Sequence, residues 1–145
     1  MNDEILRLKI DLGLLNIFTL IPSYMECKED KKVSNGNVAV CIIDQKGSIY
    51  GRMYCSNKVR RRNSFKLAWL KASQVWLTGV QTGFYEKLYF NDVVDDDNGV
   101  EAPDLVGWKG GQPITLSDGT SLSIGFSGFR GESDLEIVTE AFKDI

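Results

Sequence analysis

The sequence contains no histidine, and this absence excludes several kinds of functional site. Histidine-dependent catalytic triads, zinc sites with histidine ligands and haem iron held by histidine all need that side chain. The three cysteines, Cys27, Cys41 and Cys55, lack the close spacing of a zinc or redox motif. We therefore expect free thiols in a reducing, cytoplasmic compartment.

Long apolar runs and an excess of positive charge are also missing. The longest apolar stretch, residues 12–21, is interrupted by polar residues and is too short to cross a bilayer. No basic segment precedes it, so a signal peptide is not expected. Seventeen Lys and Arg against twenty Asp and Glu give a formal net charge of −3, which gives no general attraction to nucleic acid or to anionic membranes.

The length favours one domain. A chain of 145 residues can bury a core of its own without disulfide or metal support. Neither an internal repeat nor a low-complexity linker divides the sequence. We therefore treat residues 1–145 as a single soluble domain.

The first half of the chain predicts a helix followed by a hairpin. Residues 6–10 can form a short leading strand, after which Asp11 can cap a helix with apolar residues at helical spacing, kinked or restarted at Pro22. The uninterrupted apolar run 38–43 predicts a central strand covered on both faces. A turn through residues 44–47, with Gly47 at positive φ, leads into a second strand over residues 48–54.

The second half predicts a long helix, another hairpin and a last helix. Apolar residues between Phe65 and Trp76 recur at offsets of three and four and end at Gly79, so Trp69 and Trp76 are expected in the core. Residues 91–107 are rich in aspartate and suit a solvated loop. The pair Asp118-Gly119 predicts a type I′ turn between strands 112–116 and 121–127, and Ser133 with Glu136 has the spacing of a capping box.

An ordered set of short motifs resembles the GlcG/HbpS-like family, over the chain from about residue 6 to the C-terminus. The pieces that carry the resemblance are Val40-Cys41-Ile42-Ile43-Asp44 with Gly47, Met53, Lys71-Ala72, Gly110-Gly111-Gln112-Pro113, and Gly125-Phe126-Ser127-Gly128 with Asp134.

This resemblance implies an α+β, profilin-like fold, with an antiparallel β-sheet of four to five strands flanked by helices. It also implies a homodimer or a higher oligomer. Some members bind haem, and a related domain is fused to corrinoid adenosyltransferases. Without histidine, the residues that remain as imaginable haem ligands are Met53, Tyr54, Cys55 and Lys71.

We predict that the chain binds a small molecule, planar or anionic, without catalysing a reaction. Arg52 and Lys71 would supply charge and Trp108 an apolar wall, while Gly110, Gly111 and Ser127 would supply backbone donors. The alternative is a small lyase or isomerase in which Lys71 or Asp44 acts as a base, in a pocket shared between subunits. A purely structural assembly protein is a third reading.

Two further clusters leave alternatives open. The segment Ser127-Gly128-Phe129-Arg130-Gly131 either binds an anion at the start of the last helix or is a plain strand-to-helix turn. The basic run Lys58, Arg60, Arg61 and Arg62 either meets the acidic loop Asp95-Asp96-Asp97, across a subunit boundary, or is solvated like that loop. The acidic loop lacks the spacing of a calcium loop. Cys41 and Cys55 are either nucleophiles or, more simply, small buried thiols.

Overall fold

The computed structural model describes residues 2–84 and 105–145, which form an α+β fold. In this part of the chain, four helices accompany one four-stranded antiparallel sheet. In chain order the elements are α1 (Asp3–Tyr24), α2 (Lys28–Ser34), β1 (Ala39–Ile43), β2 (Ile49–Met53), α3 (Lys58–Thr78), β3 (Gly111–Thr115), β4 (Ser121–Ser127) and α4 (Gly131–Phe142).

The sheet has the strand order β2-β1-β4-β3, and its central strand β1 is buried along its whole length. Val40 and Ile42 lie in the larger core cluster with apolar residues of α1 and α4. Cys41 and Ile43 point to the other face and pack against Ala68 and Ala72 of α3. The period-two alternation of a strand thus places α1 and α4 on one face of the sheet and α3 on the other. The covered central strand predicted over residues 38–43 is confirmed.

Both hairpins are closed by three-residue loops of one form. In the β3–β4 loop, Gly119 donates its N–H to Leu116 O and has φ +90°, whereas Asp118 is not at positive φ. The predicted type I′ turn is therefore wrong, because that turn needs positive φ at both central residues. The β1–β2 loop has the same pattern, with Gly47 donating to Asp44 O at φ +87°.

The predicted leading strand does not exist, because residues 6–10 belong to α1. Asn2, not Asp11, caps this helix by accepting the N–H of Glu4 at 2.7 Å. Leu6, Ile10, Gly13 and Ile17 are buried at helical spacing. An added Cβ at Gly13 would overlap the ring of Phe142, so glycine lets α1 and α4 pack closely. The helix runs through Pro22 and ends two residues later, before α2 restarts at Lys28.

The helix predicted from Phe65 to Gly79 is confirmed as α3, but its tryptophans are not in the core. Trp69 and Trp76 are 39% and 47% exposed, and small residues face the sheet instead. The reason is the close approach of α3 to β4 at Gly125, where a Cβ would overlap the carbonyl oxygen of Ala68. Indole rings do not fit in that gap.

The start of the last helix also differs from the prediction. Arg130 is the N-cap of α4, and Ser133 lies within its first turn. The Ser133 hydroxyl donates to Asp30 at 2.6 Å, and Glu136 accepts the hydroxyl of Tyr24 at 2.8 Å. The two residues of the expected capping box thus bind other helices.

The acidic loop Asp95-Asp96-Asp97, and with it most of the loop predicted over residues 91–107, lies outside the described residues. Within the described ranges, each helix is too short or too polar to span a bilayer.

Candidate functional site

A cavity of about 660 Å³ lies where the end of α2, the first half of α3 and the start of α4 meet residues 107–109. Its wall combines apolar side chains, backbone and a few charges, a composition typical of small-molecule sites. The lining residues that matter most here are Arg60, Leu67, Lys71, Trp108, Lys109, Ser127, Phe129, Glu132 and Asp134.

A buried ion pair lies at the inner end of this cavity. The Lys71 Nζ is 3.3 Å from Asp134 Oδ2 and also donates to Phe126 O at 2.9 Å. The other carboxylate oxygen of Asp134 accepts the N–H of Phe129 at 3.0 Å. The Lys71 and Asp134 side chains are only 3% and 2% exposed, so both charges have lost most of their water.

This burial shifts the pKa of each partner towards its neutral form. Desolvation lowers the pKa of Lys71 and raises the pKa of Asp134, while the attraction between the two charges opposes both shifts. The pair therefore holds a proton between two groups whose acidities have been drawn together. Such a pair can stabilise the fold, and it can also transfer a proton to a bound molecule.

Ser127 and Trp108 occupy different parts of the cavity wall. Ser127 is only 4% exposed and lines the cavity wall, and among the described residues no buried side-chain nitrogen or oxygen lacks a hydrogen-bond partner. Trp108 is 66% exposed and borders the opening. The structure thus brings Lys71, Trp108 and Ser127, three residues singled out from the sequence, to one cavity.

Gly110 and Gly111 lie behind the cavity wall, and their geometry suggests close packing more than ligand donation. A Cβ at Gly110 would lie 2.7 Å from Lys71 Nζ. The Gly111 N–H already donates to Thr82 Oγ1 at 2.9 Å. These glycines leave room for the Lys71 side chain.

The chain's own carboxylates occupy the anion site that we considered at the start of α4. Asp30 accepts the N–H of Arg130 at 2.9 Å and its Nε at 3.1 Å, and Asp134 accepts the N–H of Phe129. The pKa of Asp30 is lowered: burial alone would raise it, but hydrogen bonds from Arg130 and Ser133 outweigh that effect. Arg130 is thus engaged with α2 and is not a residue of the cavity wall.

Arg52 and Asp44 lie away from the cavity. The guanidinium of Arg52 lies 5.6 Å from the ring centre of Tyr54 and 6.0 Å from that of Phe18. Asp44 accepts the N–H groups of Lys46 and Ser48 in the first hairpin. Arg52 therefore does not supply charge to this cavity, and Asp44 holds a turn.

The four imaginable haem ligands do not converge on one site. Met53 and Cys55 are exposed, Tyr54 is buried with its hydroxyl bonded to Leu14 O, and only Lys71 lines the cavity. Lys71 would have to leave Asp134 to reach an iron. Residues 2–84 and 105–145 also contain no cluster of ligating side chains for a metal ion. The described residues thus do not place an axial ligand for haem in this cavity.

The structure describes the basic run, Cys41 and Cys55, but not the acidic loop. Arg60 donates to Val33 O at 2.8 Å and Arg61 to Cys55 O at 2.9 Å. The acidic loop Asp95-Asp96-Asp97 lies outside the described residues, so the choice between a contact with this basic run and solvated charges stays open. Cys41 is buried, and desolvation raises its pKa to about 12, which favours the inert thiol. Cys55 is exposed.

The sequence did not predict that Asp134 and Arg60 line the same cavity as Lys71. Asp134 was noted only within the family resemblance, and Arg60 only as part of a basic run. Asp134 lies in the first turn of α4, where a carboxylate is favoured by the helix dipole. Its position could therefore have marked it as a candidate residue. Its pairing with a lysine of α3, 63 positions away, required the sheet topology.

The similarity of this chain to known proteins lies in its fold. Neither a family model nor a curated protein matches the sequence. Among solved structures, a double mutant of Streptomyces reticuli HbpS matches with 18% identity and a TM-score of 0.56, over 90% of this chain and 84% of that one. A complex of PduOC with haem gives 20% identity and 0.58, over 92% and 91% of the two chains.

Klebsiella pneumoniae protein ORFY is similar at 16% identity with a TM-score of 0.54, over 89% of each chain. At such low identities, the matches establish a shared fold and leave the ligand of this chain open. The chain therefore has the fold of HbpS, PduOC and ORFY, and the resemblance to the GlcG/HbpS-like family seen in its sequence is confirmed at that level.

Proposed function

We propose that this protein binds a small, flat organic anion in the cavity between α2, α3 and α4. The observation that carries the proposal is the combination of an exposed indole, Trp108, with the polar side chain of Ser127 in the wall of one open cavity. A polar atom of a ligand in this cavity would be able to hydrogen-bond to the Ser127 hydroxyl.

The charge of the rim supports an anionic ligand. Among the described residues of the wall, Arg60 and Lys109 contribute two cations against the carboxylate of Glu132, while Lys71 and Asp134 balance each other. The apolar wall of Leu67 and Trp108 suits a flat ring. PduOC, which has the same fold, was solved with haem, itself flat and acidic. Here the ligand would be held by its edges and faces, without an axial bond to a metal.

Native mass spectrometry of the freshly purified protein tests this function. We expect one small organic molecule per chain, lost or strongly reduced in the double variant Arg60→Gln/Trp108→Ala. The matched control is Arg52→Gln/Trp76→Ala, which removes the same two residue types outside the cavity. A wild-type protein that carries no bound molecule, or a bound molecule retained equally by both variants, would contradict the proposal.

The buried Lys71–Asp134 pair favours a second candidate, a lyase- or isomerase-type enzyme. A neutral lysine amine at the cavity can accept a proton from a carbon next to a carbonyl, with Asp134 in position to share it. Exchange of the methyl protons of pyruvate in heavy water, followed by NMR, tests this chemistry. A rate above that of buffer, abolished in Lys71→Met, would favour the enzyme, and a rate equal to that of buffer would favour plain binding.

A further inference from the structure

The amine of Lys71 lies at the inner end of the cavity with an acid beside it. Its Nζ is 3.3 Å from Asp134 Oδ2 and its side chain is 3% exposed, and both residues line the cavity. Gly110 leaves room for this amine, since a Cβ there would lie 2.7 Å from Nζ. The site thus combines a nitrogen nucleophile, an acid and a space that holds a small molecule.

The surroundings of Lys71 favour the form of the amine that reacts. Only a neutral amine attacks a carbonyl carbon, and at an ordinary lysine pKa fewer than about one amine in a thousand is neutral at pH 7. Burial lowers the pKa of Lys71 and raises the pKa of Asp134, against the attraction between the two charges. Transfer of a proton from Lys71 to Asp134 gives an amine that can attack and an acid that can return the proton.

We propose that Lys71 forms an imine with an aldehyde group of the bound molecule, so that the ligand of this cavity is an anionic aromatic aldehyde. This inference rests on the proposed function, because the same cavity holds the ring and the negative charge, and it adds the reactive group. It differs from the proton-accepting role considered above, since the Lys71 nitrogen forms a bond to carbon. An aldehyde carbon is less hindered than a ketone carbon, which suits a buried amine.

The reaction balances with the Lys71–Asp134 pair alone. The Lys71 ammonium passes a proton to the Asp134 carboxylate, and the free amine adds to the aldehyde carbon. A proton then moves from nitrogen to the new alkoxide oxygen, which gives a carbinolamine. Asp134 returns its proton to the carbinolamine hydroxyl, which leaves as water while the nitrogen lone pair closes the C=N bond. The products are a protonated imine, an Asp134 carboxylate and one water.

The imine keeps the ion pair that this buried region needs. Its nitrogen carries a positive charge and one N–H, which can stay with Asp134, whereas the hydrogen bond to Phe126 O is given up. The buried carboxylate therefore retains a cation, and the large cost of leaving it unpaired does not arise. Burial of the nitrogen also limits the access of water, which would hydrolyse the imine.

Reductive trapping with pyridoxal 5′-phosphate, a flat anionic aldehyde, tests this inference on the wild-type protein. Sodium borohydride reduces the imine to a stable secondary amine, and peptide mass spectrometry locates it. We expect several-fold more modification of Lys71 than of Lys66, an exposed lysine of the same helix that does not line the cavity. Modification of Lys66 or of Lys109, the exposed lysine of the wall, with Lys71 unmodified would overturn the inference.

A pair of conservative variants checks the same bond by absorbance. Lys71→Arg keeps a cation for Asp134 but cannot form the imine, so it should lose the absorbance band of the imine, and the matched control Lys66→Arg should keep it. A folded Lys71→Arg protein with an unchanged band would overturn the inference. If Lys71→Arg does not fold, the mapping of the wild-type adduct decides the question.

Competition with 8-anilinonaphthalene-1-sulfonate, which has no aldehyde, separates the imine from the binding function. We expect an excess of this anion to reduce the modification of Lys71 several-fold. Saturable binding of the anion by a protein whose Lys71 is never modified would overturn the imine and leave the binding function intact. Modification of Lys71 that neither the anion nor Arg60→Gln/Trp108→Ala reduces would support the imine and contradict the proposed site for a flat anion.

Discussion

The ammonium group of Lys71 lies 3.3 Å from the carboxylate of Asp134, with both side chains almost fully buried at the inner end of the cavity. The two residues belong to α3 and to the first turn of α4, which pack on opposite faces of the sheet. Through its bonds to Phe126 O and to the N–H of Phe129, the pair also holds the segment that forms the cavity wall. It links the stability of the fold to the shape of the site.

Replacing Lys71 with methionine should destabilise the protein by roughly 3–5 kcal/mol at neutral pH, since it leaves the Asp134 carboxylate buried without its cation. The pKa of Asp134 is already raised by burial, and losing the cation raises it further. A group with a raised folded-state pKa holds its proton more tightly when folded, so stability falls as pH rises above about 4. Urea unfolding at several pH values measures this. A variant whose stability rises over that range would contradict the prediction.

Replacing Asp134 with asparagine should produce the opposite pH dependence. Burial lowers the pKa of Lys71, and removing the anion lowers it further, so the folded state binds fewer protons than the unfolded state. Stability of Asp134→Asn should therefore rise with pH up to about 10. The double variant Lys71→Met/Asp134→Asn should lose less stability than the sum of the two single losses. Additive losses would mean that the two side chains do not interact.

Asp30 should be the main contact between α2 and α4. Its side chain is 1% exposed and accepts hydrogen bonds from Arg130 and Ser133, so Asp30→Ala should cost about 2–3 kcal/mol of unfolding free energy. The pKa of Asp30 is lowered, and its contribution should therefore be lost as pH falls through the acidic range. Asp118→Ala, which removes a partly exposed ion pair with Lys9, is the control and should change stability far less. Equal losses in the two variants would contradict the prediction.

Gly125→Ala should be among the most damaging single-methyl additions in this chain. Its Cβ would overlap the Ala68 carbonyl oxygen, a backbone atom that cannot rotate away, so α3 must move off the sheet at a cost of about 3 kcal/mol or more. The control is Gly79→Asn. Gly79 is the C-cap of α3 and has left-handed backbone angles with open space around it, a conformation in which asparagine is tolerated. Thermal unfolding of both variants measures the contrast. A small change for Gly125→Ala would show that α3 is not held so close to β4.

The three thiols should differ in reactivity. Cys41 is buried with a raised pKa, whereas Cys55 is exposed and Cys27 is partly exposed. Titration of the native protein with a thiol-specific disulfide reagent should modify Cys55 and Cys27 within minutes and Cys41 only after unfolding. Rapid native labelling of Cys41, identified by peptide mass spectrometry, would contradict the burial of β1.

Patterns with a clear period predicted the fold well. The uninterrupted apolar run of β1 and the stripe of α3 ending at Gly79 gave correct elements, because burial on both faces of a strand or on one face of a helix leaves a periodic record in the sequence. The strand predicted over residues 6–10 was wrong because apolar residues at every second position also occur in a helix that has apolar residues on two faces. The exposure of Trp69 and Trp76 could not be foreseen, since it depends on how close α3 comes to Gly125.

The site was predictable only in part. Lys71 and Ser127 belong to the motifs and Trp108 was chosen for its apolar ring, and all three meet at one cavity; Arg52 was chosen for its charge alone and lies elsewhere. Asp134 lies at the cavity because it pairs with Lys71, and α3 and α4, which carry the two residues, are distant in sequence. Such contacts depend on strand order and on the direction in which each helix leaves the sheet, and local spacing does not encode either.

Fluorescence titration with 8-anilinonaphthalene-1-sulfonate, a flat aromatic anion, tests most directly whether the cavity is the binding site. The account predicts saturable binding at one site per chain, at least several-fold weaker in Arg60→Gln/Trp108→Ala and in Ser127→Leu, which fills the cavity, and unchanged in Arg52→Gln/Trp76→Ala. Equal binding by all four proteins, or weakening only in the variant that leaves the cavity intact, would contradict it.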